Sequence, residues 1–139
     1  MIAASLREAA QRGGGTAAAD RYEVLVFERE APLRAGQGVR VTRMSAEPSR
    51  ESKIEDAVAW YGDTAVPWLA DADGFCAALL YADWAAGRLV SQTVWRDPHA
   101  LATSRSTATA IEVAAAEATN GVIDAAEEYR LVFSSARPA

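Results

Sequence analysis

Histidine, the residue type that titrates near neutral pH, occurs once in the chain, at His99. It could therefore act as a general acid, a general base or a single metal ligand. Tyr81 is a second side chain able to move a proton. Neither belongs to a recognisable nucleophile–base–acid triad, and the sequence contains no phosphate-binding loop, metal-ligand motif or dinucleotide fingerprint. The alternative interpretation of His99 is a solvent-facing residue in the first turn of a helix.

Two arginines, Arg40 and Arg43, lie in the β-branched run Val39–Met44. Side chains three residues apart on a strand point to opposite faces, so one of the two should enter a buried layer. A buried arginine needs a partner. It could pair with a carboxylate such as Asp83 or Glu128, or polarise an anionic or carbonyl group of a ligand. Arg43 joins His99 and Tyr81 as a predicted catalytic residue, with Arg40 as the alternative.

Tryptophans supply the candidate surface for a planar ligand. Trp95 ends a predicted strand directly before a helix, where it could stack on a ring or close the end of the core. Trp60 and Trp68 both belong to the first predicted helix, but only Trp68 falls on its apolar series, so Trp60 faces a cavity, a partner chain or solvent. Ser91 and Thr93 share the strand face of Trp95. The predicted substrate-binding residues are Trp95, Trp60, Trp68, Phe75, Ser91 and Thr93.

Local signals place these residues on strands and helices. Ser52-Lys53-Ile54-Glu55 has the spacing of a capping box and predicts a helix start, and Pro67 is expected to kink or end that helix. Asp97 before Pro98 predicts the start of a second helix, and Asn120-Gly121 predicts its end. The predicted strands are Val39–Met44, Phe75–Tyr81, Arg88–Trp95 and Tyr129–Phe133, and the second helix runs through Ala118.

Each predicted helix carries one apolar face, because its apolar residues recur at steps of three and four. These faces should pack on a sheet. They consist of Ile54, Val58, Tyr61, Ala65 and Trp68 in the first helix, and of Leu101, Ala108, Ile111 and Ala115 in the second.

The order strand, helix, strand, strand, helix, strand predicts an α+β, ferredoxin-like fold. Right-handed crossovers then place both helices on one face of a four-stranded antiparallel sheet. The strands carry apolar side chains on both faces, so the face opposite the helices should also be covered, most simply by the sheet of a second copy. We therefore expect a homodimer or a higher homo-oligomer.

The N-terminal segment partly repeats the end of this unit. Ala18–Phe27 parallels Ala125–Phe133, allowing one inserted residue, and Ser5–Arg12 is compatible with a helix. We interpret residues 1–38 as a helix-strand extension and linker, and residues 39–139 as the ferredoxin-like domain. The repeat indicates either a duplicated unit or an added strand that docks on a sheet edge.

Composition restricts the class of protein. A chain of 139 residues, half hydrophobic and a quarter charged, fits one globular domain. Its net charge of −5 argues against general binding of nucleic acid or of an anionic membrane. The sole cysteine, Cys76, excludes an internal disulfide and is interpreted as a buried, inert thiol. With neither a signal peptide nor a bilayer-spanning run, a cytoplasmic protein is expected.

Between Lys53 and Phe133 the chain carries a set of mostly fold-defining residues: Pro67, Asp73-Gly74-Phe75, the turn from Tyr81-Ala82-Asp83 to Gly87, Val90–Trp95, Asp97-Pro98-His99-Ala100-Leu101, Ser104 and Tyr129. Through these residues it resembles the antibiotic biosynthesis monooxygenase-like superfamily. The resemblance implies a dimeric α+β barrel. Members of the superfamily include cofactor-independent, quinone-forming monooxygenases, haem-degrading enzymes, small isomerases or decarboxylases, and many proteins of unknown role. The monooxygenases and the haem-degrading enzymes are expected to use an asparagine near the substrate. The first strand of this domain has no asparagine; the only one in the chain is Asn120.

Two functions are compatible with these residues. The first is a monooxygenase without metal or organic cofactor, acting on a hydrophobic or aromatic small molecule. In it, Trp95 and Trp60 would stack on the ring, Arg43 or Arg40 would polarise an oxygen, and His99 or Tyr81 would move a proton. The second is a non-catalytic dimeric module that binds a small apolar ligand or serves as an assembly unit.

Overall fold

The computed structural model describes residues 22–45, 51–119 and 121–132. Within them the chain forms five strands and a set of helical segments. In chain order these are β1 (Glu23–Arg29), β2 (Gly38–Ser45), α1 (Glu51–Trp60), a π turn (Tyr61–Ala65), α2 (Val66–Ala70), β3 (Phe75–Asp83), β4 (Arg88–Trp95), α3 (Pro98–Thr103), α4 (Arg105–Thr119) and β5 (Val122–Arg130). None of these helices has the length and apolar character needed to cross a bilayer.

The sheet has the strand order β1-β3-β4-β2-β5, and every neighbouring pair is antiparallel. Without β1, the order β5-β2-β4-β3 is the ferredoxin-like arrangement expected for two β-α-β units, which confirms the predicted fold. The helices pack on one face of the sheet, where Ile54, Tyr61 and Leu69 meet Leu80 and Leu89 in the main core.

Strand β1 lies at the edge of the sheet, where it pairs with β3 and sets Phe27 opposite Leu79. A sheet edge is where one of the two interpretations of the partial repeat, an added strand, would place it; descent from a duplicated unit stays a prediction. The helix predicted over Ser5–Arg12 lies outside the described residues.

The prediction of the last strand was wrong in its position. β5 covers Val122–Arg130, whereas the sequence placed the strand at Tyr129–Phe133. The reason is a bulge: Arg43 pairs with Ala125 and Met44 pairs with Ile123, so Asp124 is an extra residue. One extra residue interrupts the two-residue alternation by which a strand is recognised.

The first helix changes its hydrogen bonding after α1. Between Tyr61 and Ala65 the chain makes one π turn, in which the Val66 N–H donates to the Tyr61 carbonyl, five residues back. A π turn contains an extra residue, and each residue rotates the following helix by about 100°. The predicted apolar face is therefore correct as far as Ala65 and displaced beyond it.

Trp68 shows the displacement. It was predicted to face the sheet, but its side chain is 40% exposed, and Leu69 is buried in its place. Pro67 does not end the helix. It lies in the first turn of α2, within a helical run that continues from Glu51 to Ala70, and the irregularity expected at Pro67 takes the form of the π turn just before it.

The second helix begins as predicted. The Asp97 carboxylate accepts a hydrogen bond from the Ala100 N–H at 2.8 Å, with Pro98 in the first turn. The helix is divided at Ser104 into α3 and α4, and its predicted apolar residues Leu101 and Ile111 are buried against the sheet.

The second face of the sheet, which we call the open face, is built around Val39, Val41, Cys76, Ala77, Val90 and Val94. The linker covers one end of it, where Leu33 packs on this cluster and the Gln37 amide donates to the Pro32 carbonyl at 2.9 Å. The Cys76 thiol is buried, as predicted, and burial raises its pKa.

Candidate functional site

A cavity lies between the helix-covered face of the sheet and the helices α1 and α4. Its empty volume is about 470 Å³, part of it open to solvent, and a neighbouring space of about 430 Å³ shares four of its lining residues. We call the first space the sheet–helix cavity. Its sheet floor is formed by Arg40, Thr42, Met44, Ser91, Thr93 and Ile123, and its helix wall by Trp60, Tyr61, Leu69, Ala108, Ile111, Glu112 and Ala115.

The π turn begins with Tyr61, which places the phenol over the floor of this cavity. Its Oη lies 2.8 Å from the Ser91 Oγ, and both side chains are buried. Burial raises the pKa of Tyr61 to about 12. The phenol therefore keeps its proton at neutral pH and can only donate or accept hydrogen bonds.

The floor carries three hydroxyl groups on adjacent strands. Thr42 pairs with Ser91 across β2 and β4, and Thr93 lies two residues further along β4. The Thr93 Oγ1 accepts a hydrogen bond from the Trp95 indole N–H at 3.0 Å. Ser91 and Thr93, both predicted as binding residues, thus reach the same cavity, and Thr42 was not predicted.

Arg40 is the strand arginine that enters the buried layer. Its guanidinium donates to the Ser104 Oγ at 2.9 Å, to the Leu101 carbonyl at 3.0 Å and to a Glu128 carboxylate oxygen at 3.0 Å. Glu128 was one of the two carboxylate partners considered from the sequence. Arg105 donates to the same carboxylate, and these hydrogen bonds lower the pKa of Glu128 to about 2. Arg40 is therefore committed chiefly to holding α3 and β5 on β2.

Glu112 is a cavity residue that the sequence reasoning missed. It lies on α4 four residues after Ala108 and next to the buried Ile111, and its side chain is half-buried. Burial raises the pKa of its carboxyl group, and the nearby charge of Arg40 partly opposes this. The helical spacing from Ala108 was the available signal, because it places Glu112 beside the predicted apolar face.

The three predicted catalytic residues do not meet at this cavity. Arg43 lies on the open face and donates to Glu127 at 2.9 Å. Tyr81 lies on the same face, 3.4 Å from the Gln92 amide oxygen. His99 is exposed in the first turn of α3. Arg43 and Tyr81 lie on the open face because the odd-numbered residues of β2 up to Arg43, and those of β3 from Ala77 to Tyr81, point away from the helices.

The predicted aromatic residues are divided between core, cavity and surface. Trp95 is fully buried and packs edge-on against Phe75 with ring centres 5.7 Å apart, so this pair belongs to the core and not to the cavity lining. Trp68 is exposed outside the cavity. Trp60 is half-buried and lines the cavity, one of the three positions considered for it.

Among the described residues, no group of three or more histidine, cysteine, aspartate or glutamate side chains is arranged to hold a metal ion. The charged and polar groups of the cavity are Arg40, Tyr61, Glu112 and the three hydroxyls of the floor. This set can form hydrogen bonds and move a proton.

No protein-family model matches the chain. An uncharacterized protein of Mycobacterium tuberculosis, found in strains CDC 1551 and H37Rv, is 26% identical over 103 residues. The aligned part is 74% of this chain and 45% of that protein. The chain thus spans about half the length of the curated relative that it matches.

Three solved structures share the fold. A haem-degrading enzyme of Listeria monocytogenes has a TM-score of 0.58 at 10% identity, covering 84% of this chain and 74% of the enzyme. A ferredoxin-fold protein of the same species, related to antibiotic biosynthesis monooxygenases, has a TM-score of 0.56 at 12% identity. The alignment covers 86% of this chain and 71% of that protein. A monooxygenase of Streptomyces coelicolor, solved with nanaomycin D, has a TM-score of 0.53 at 15% identity. The alignment covers 74% of this chain and 91% of the monooxygenase.

At such identities these likenesses establish the fold alone. The chain has the ferredoxin-like fold of the antibiotic biosynthesis monooxygenase-like proteins, and the resemblance seen in its sequence is confirmed at that level.

Proposed function

We propose that this protein binds a small, largely apolar, ring-bearing molecule in the sheet–helix cavity and oxygenates it with molecular oxygen, using neither metal nor organic cofactor. The observation that carries the proposal is the cavity itself. Trp60 offers it an aromatic surface and Tyr61 a neutral hydroxyl, above a floor that combines two apolar side chains, three hydroxyls and Arg40. Such a lining suits an apolar ligand with a few polar atoms.

The fold neighbours support the chemical part of the proposal. One of them is a monooxygenase solved with nanaomycin D, and another is a haem-degrading enzyme. In the proposed reaction Trp60 holds the ring, and the one O–H that the Tyr61–Ser91 pair leaves available donates to a ligand oxygen on which negative charge develops. The roles predicted for His99, Arg43 and Tyr81 would require these residues to reach the cavity.

The second candidate is binding without chemistry, in a dimeric ligand-binding or assembly module. The observation that favours it is the absence of asparagine from β2, the strand on which the superfamily resemblance would place one. Oxygen consumption separates the two candidates.

Either candidate also leads us to propose a homodimer joined through the open face. Phe27 is 52% exposed on β1, and Tyr129 is 49% exposed on β5, at the two sides of the apolar centre of this face. The centre itself is at most 9% exposed, so these two residues offer the apolar contacts of this face, and exposed apolar side chains of this kind suit protein–protein contact. A cytoplasmic location remains a prediction from the sequence.

The test is a calorimetric titration of the purified chain with 1,8-dihydroxyanthrone and with haem, combined with an oxygen electrode. We expect saturable binding of the anthrone and oxygen uptake above its spontaneous oxidation. Binding without oxygen uptake would contradict the oxygenase and support the ligand-binding module. Failure to bind either compound would contradict both the oxygenase and the ligand-binding module, and would leave the assembly role.

Trp60→Leu should weaken anthrone binding about fivefold, since aromatic contacts of this kind are worth about 1 kcal/mol beyond the area that they bury. Trp68→Leu is the matched control, because Trp68 lies outside the cavity on the same helical run. Equal loss in the two variants would place the ligand elsewhere.

A further inference from the structure

The cavity has a carboxylate that the fold does not need. On α4, Ile111 and Ala115 are buried against the sheet, and Glu112 lies beside them on the cavity wall. An alanine or leucine at this position would cover the same apolar surface without desolvating a charge. The placement of a carboxylate there calls for a function.

The other carboxylates of this region differ in having partners. Glu128 accepts hydrogen bonds from Arg40 and Arg105, and Glu127 accepts one from Arg43. Within the described residues, the Glu112 carboxylate has neither a hydrogen bond nor an ion pair. Burial raises its pKa, so it is a stronger base than a solvated carboxylate.

The opposite side of the cavity offers hydroxyl protons. In the pair of Tyr61 and Ser91, one hydroxyl donates to the other, which leaves one O–H for a further acceptor. Thr93 accepts from Trp95, so its own O–H is also available within the described residues. The cavity therefore presents a proton acceptor on α4 and two O–H donors, one from Thr93 and one from the Tyr61–Ser91 pair.

We infer that Glu112 is the proton-accepting residue of the sheet–helix cavity and that it orients the ligand with a hydroxyl group toward α4 and an acceptor oxygen toward Tyr61 and Ser91. The inference rests on the proposed function, which supplies a ring-bearing ligand. In the step concerned, the O–H bond of a phenolic hydroxyl breaks, its electron pair stays on the phenolic oxygen, and the proton goes to a carboxylate oxygen of Glu112. No electron leaves the ring in this step.

Three small probes separate the two ends of the ligand. 4-Hydroxyacetophenone has both the hydroxyl and the carbonyl, 4-methoxyacetophenone lacks the proton, and 4-ethylphenol lacks the carbonyl. Their dissociation constants are measured by calorimetry at neutral pH. The wild-type chain should bind the hydroxy ketone about tenfold to a hundredfold more tightly than the methoxy ketone, because a hydrogen bond to a charged group is worth that much.

Glu112→Leu should abolish this preference, and Glu112→Gln should reduce it, while affinity for the methoxy ketone stays near the wild-type value. Glu117→Gln is the matched control, since it removes the same charge from an exposed position of α4. Tyr61→Phe should reduce the preference for the hydroxy ketone over 4-ethylphenol. Oxygen uptake with 1,8-dihydroxyanthrone should fall by about 10² or more in Glu112→Gln, the range of a lost general base.

The outcomes distinguish this inference from the function on which it rests. If the wild-type chain binds none of the ring compounds, the proposed function is wrong and the inference falls with it. If the chain binds the probes but Glu112→Leu keeps the preference for the hydroxy ketone, or Glu117→Gln loses it equally, the role of Glu112 alone is contradicted.

Discussion

Among single residues, Arg40 and Glu112 show how two charged side chains that line one cavity have separate tasks. Arg40 gives its hydrogen bonds to Ser104, Leu101 and Glu128, and so holds the second helix and the last strand on the sheet. Glu112 has no such contacts among the described residues. A charge beside a cavity therefore does not by itself assign a residue to ligand binding. The hydrogen-bond partners that the residue already has decide whether it is available to a ligand.

Glu128→Gln should lower the free energy of unfolding at neutral pH by about 1–2 kcal/mol, because Arg40 loses a charged hydrogen-bond partner while its two other acceptors remain. The pKa of Glu128 falls on folding from its ordinary value of 4.5 to about 2. Its contribution to stability is thus present above pH 4.5 and is lost as the pH falls from there toward 2.

The measurement is chemical denaturation at several pH values. The wild-type chain should lose more stability than Glu128→Gln between pH 4.5 and 2, so the two curves should converge. Glu127→Gln serves as the control, since its partner Arg43 is half-exposed, and a screened surface pair contributes little. Parallel curves for wild type and Glu128→Gln would contradict the assignment.

Among the elements, the π turn determines which side chain enters the cavity. Without its extra residue, the helix beyond Tyr61 would continue in register, and Trp68 would face the sheet in place of Leu69. The one extra residue of the π turn thus decides that Leu69 lines the cavity and that the larger Trp68 lies outside it.

Gly62 in the π turn and Gly74 before β3 should respond oppositely to alanine. A Cβ at Gly62 would meet no atom within 4 Å, so Gly62→Ala should stabilise the helix by about 0.5–1 kcal/mol. Gly74 has φ +82°, and a Cβ there would lie 2.6 Å from the Ala100 Cβ, so Gly74→Ala should destabilise the chain by about 2 kcal/mol.

Thermal and urea unfolding of both variants would measure these changes. Destabilisation by Gly62→Ala would mean that the π turn needs the freedom of glycine, and a neutral Gly74→Ala would contradict the close approach of the turn to α3.

At the scale of the whole molecule, the open face carries the proposed dimer contact. Light scattering at micromolar concentration should give twice the chain mass of 14.8 kDa. Phe27→Asp should shift the mass toward the monomer, because it places a charge on an exposed apolar position of this face. Val113→Asp, at a 56% exposed position on α4, should leave the mass unchanged. A wild-type monomer would contradict the dimer.

The sequence predicted what depends on local rules. The Asp97 cap, the strand ending at Trp95 and the antiparallel pair of β3 and β4 each follow from residues close together in the chain. The last strand was misplaced because the bulge at Asp124 interrupts its alternation.

The site was harder to predict because its residues come together only through the pairing register of the strands and the packing of the helices on them. Ser91, Thr93 and Trp60 were among the candidates and do line the cavity. Glu112 was hidden in an alanine-rich helix, since only the packing of α4 decides which carboxylate faces inward. Trp95 had the residue type of a ligand platform, but complete burial makes it part of the core.

One last consequence concerns Cys76, the only cysteine, which lies in the cluster under the open face. Cys76 is 4% exposed, and burial raises the pKa of its thiol. Thiol reagents should therefore react with it very slowly while the sheet is intact. A fluorophore or spin label could therefore be attached to a cysteine introduced elsewhere without first removing the native one. The rate at which Cys76 itself is alkylated would then report how often the sheet opens.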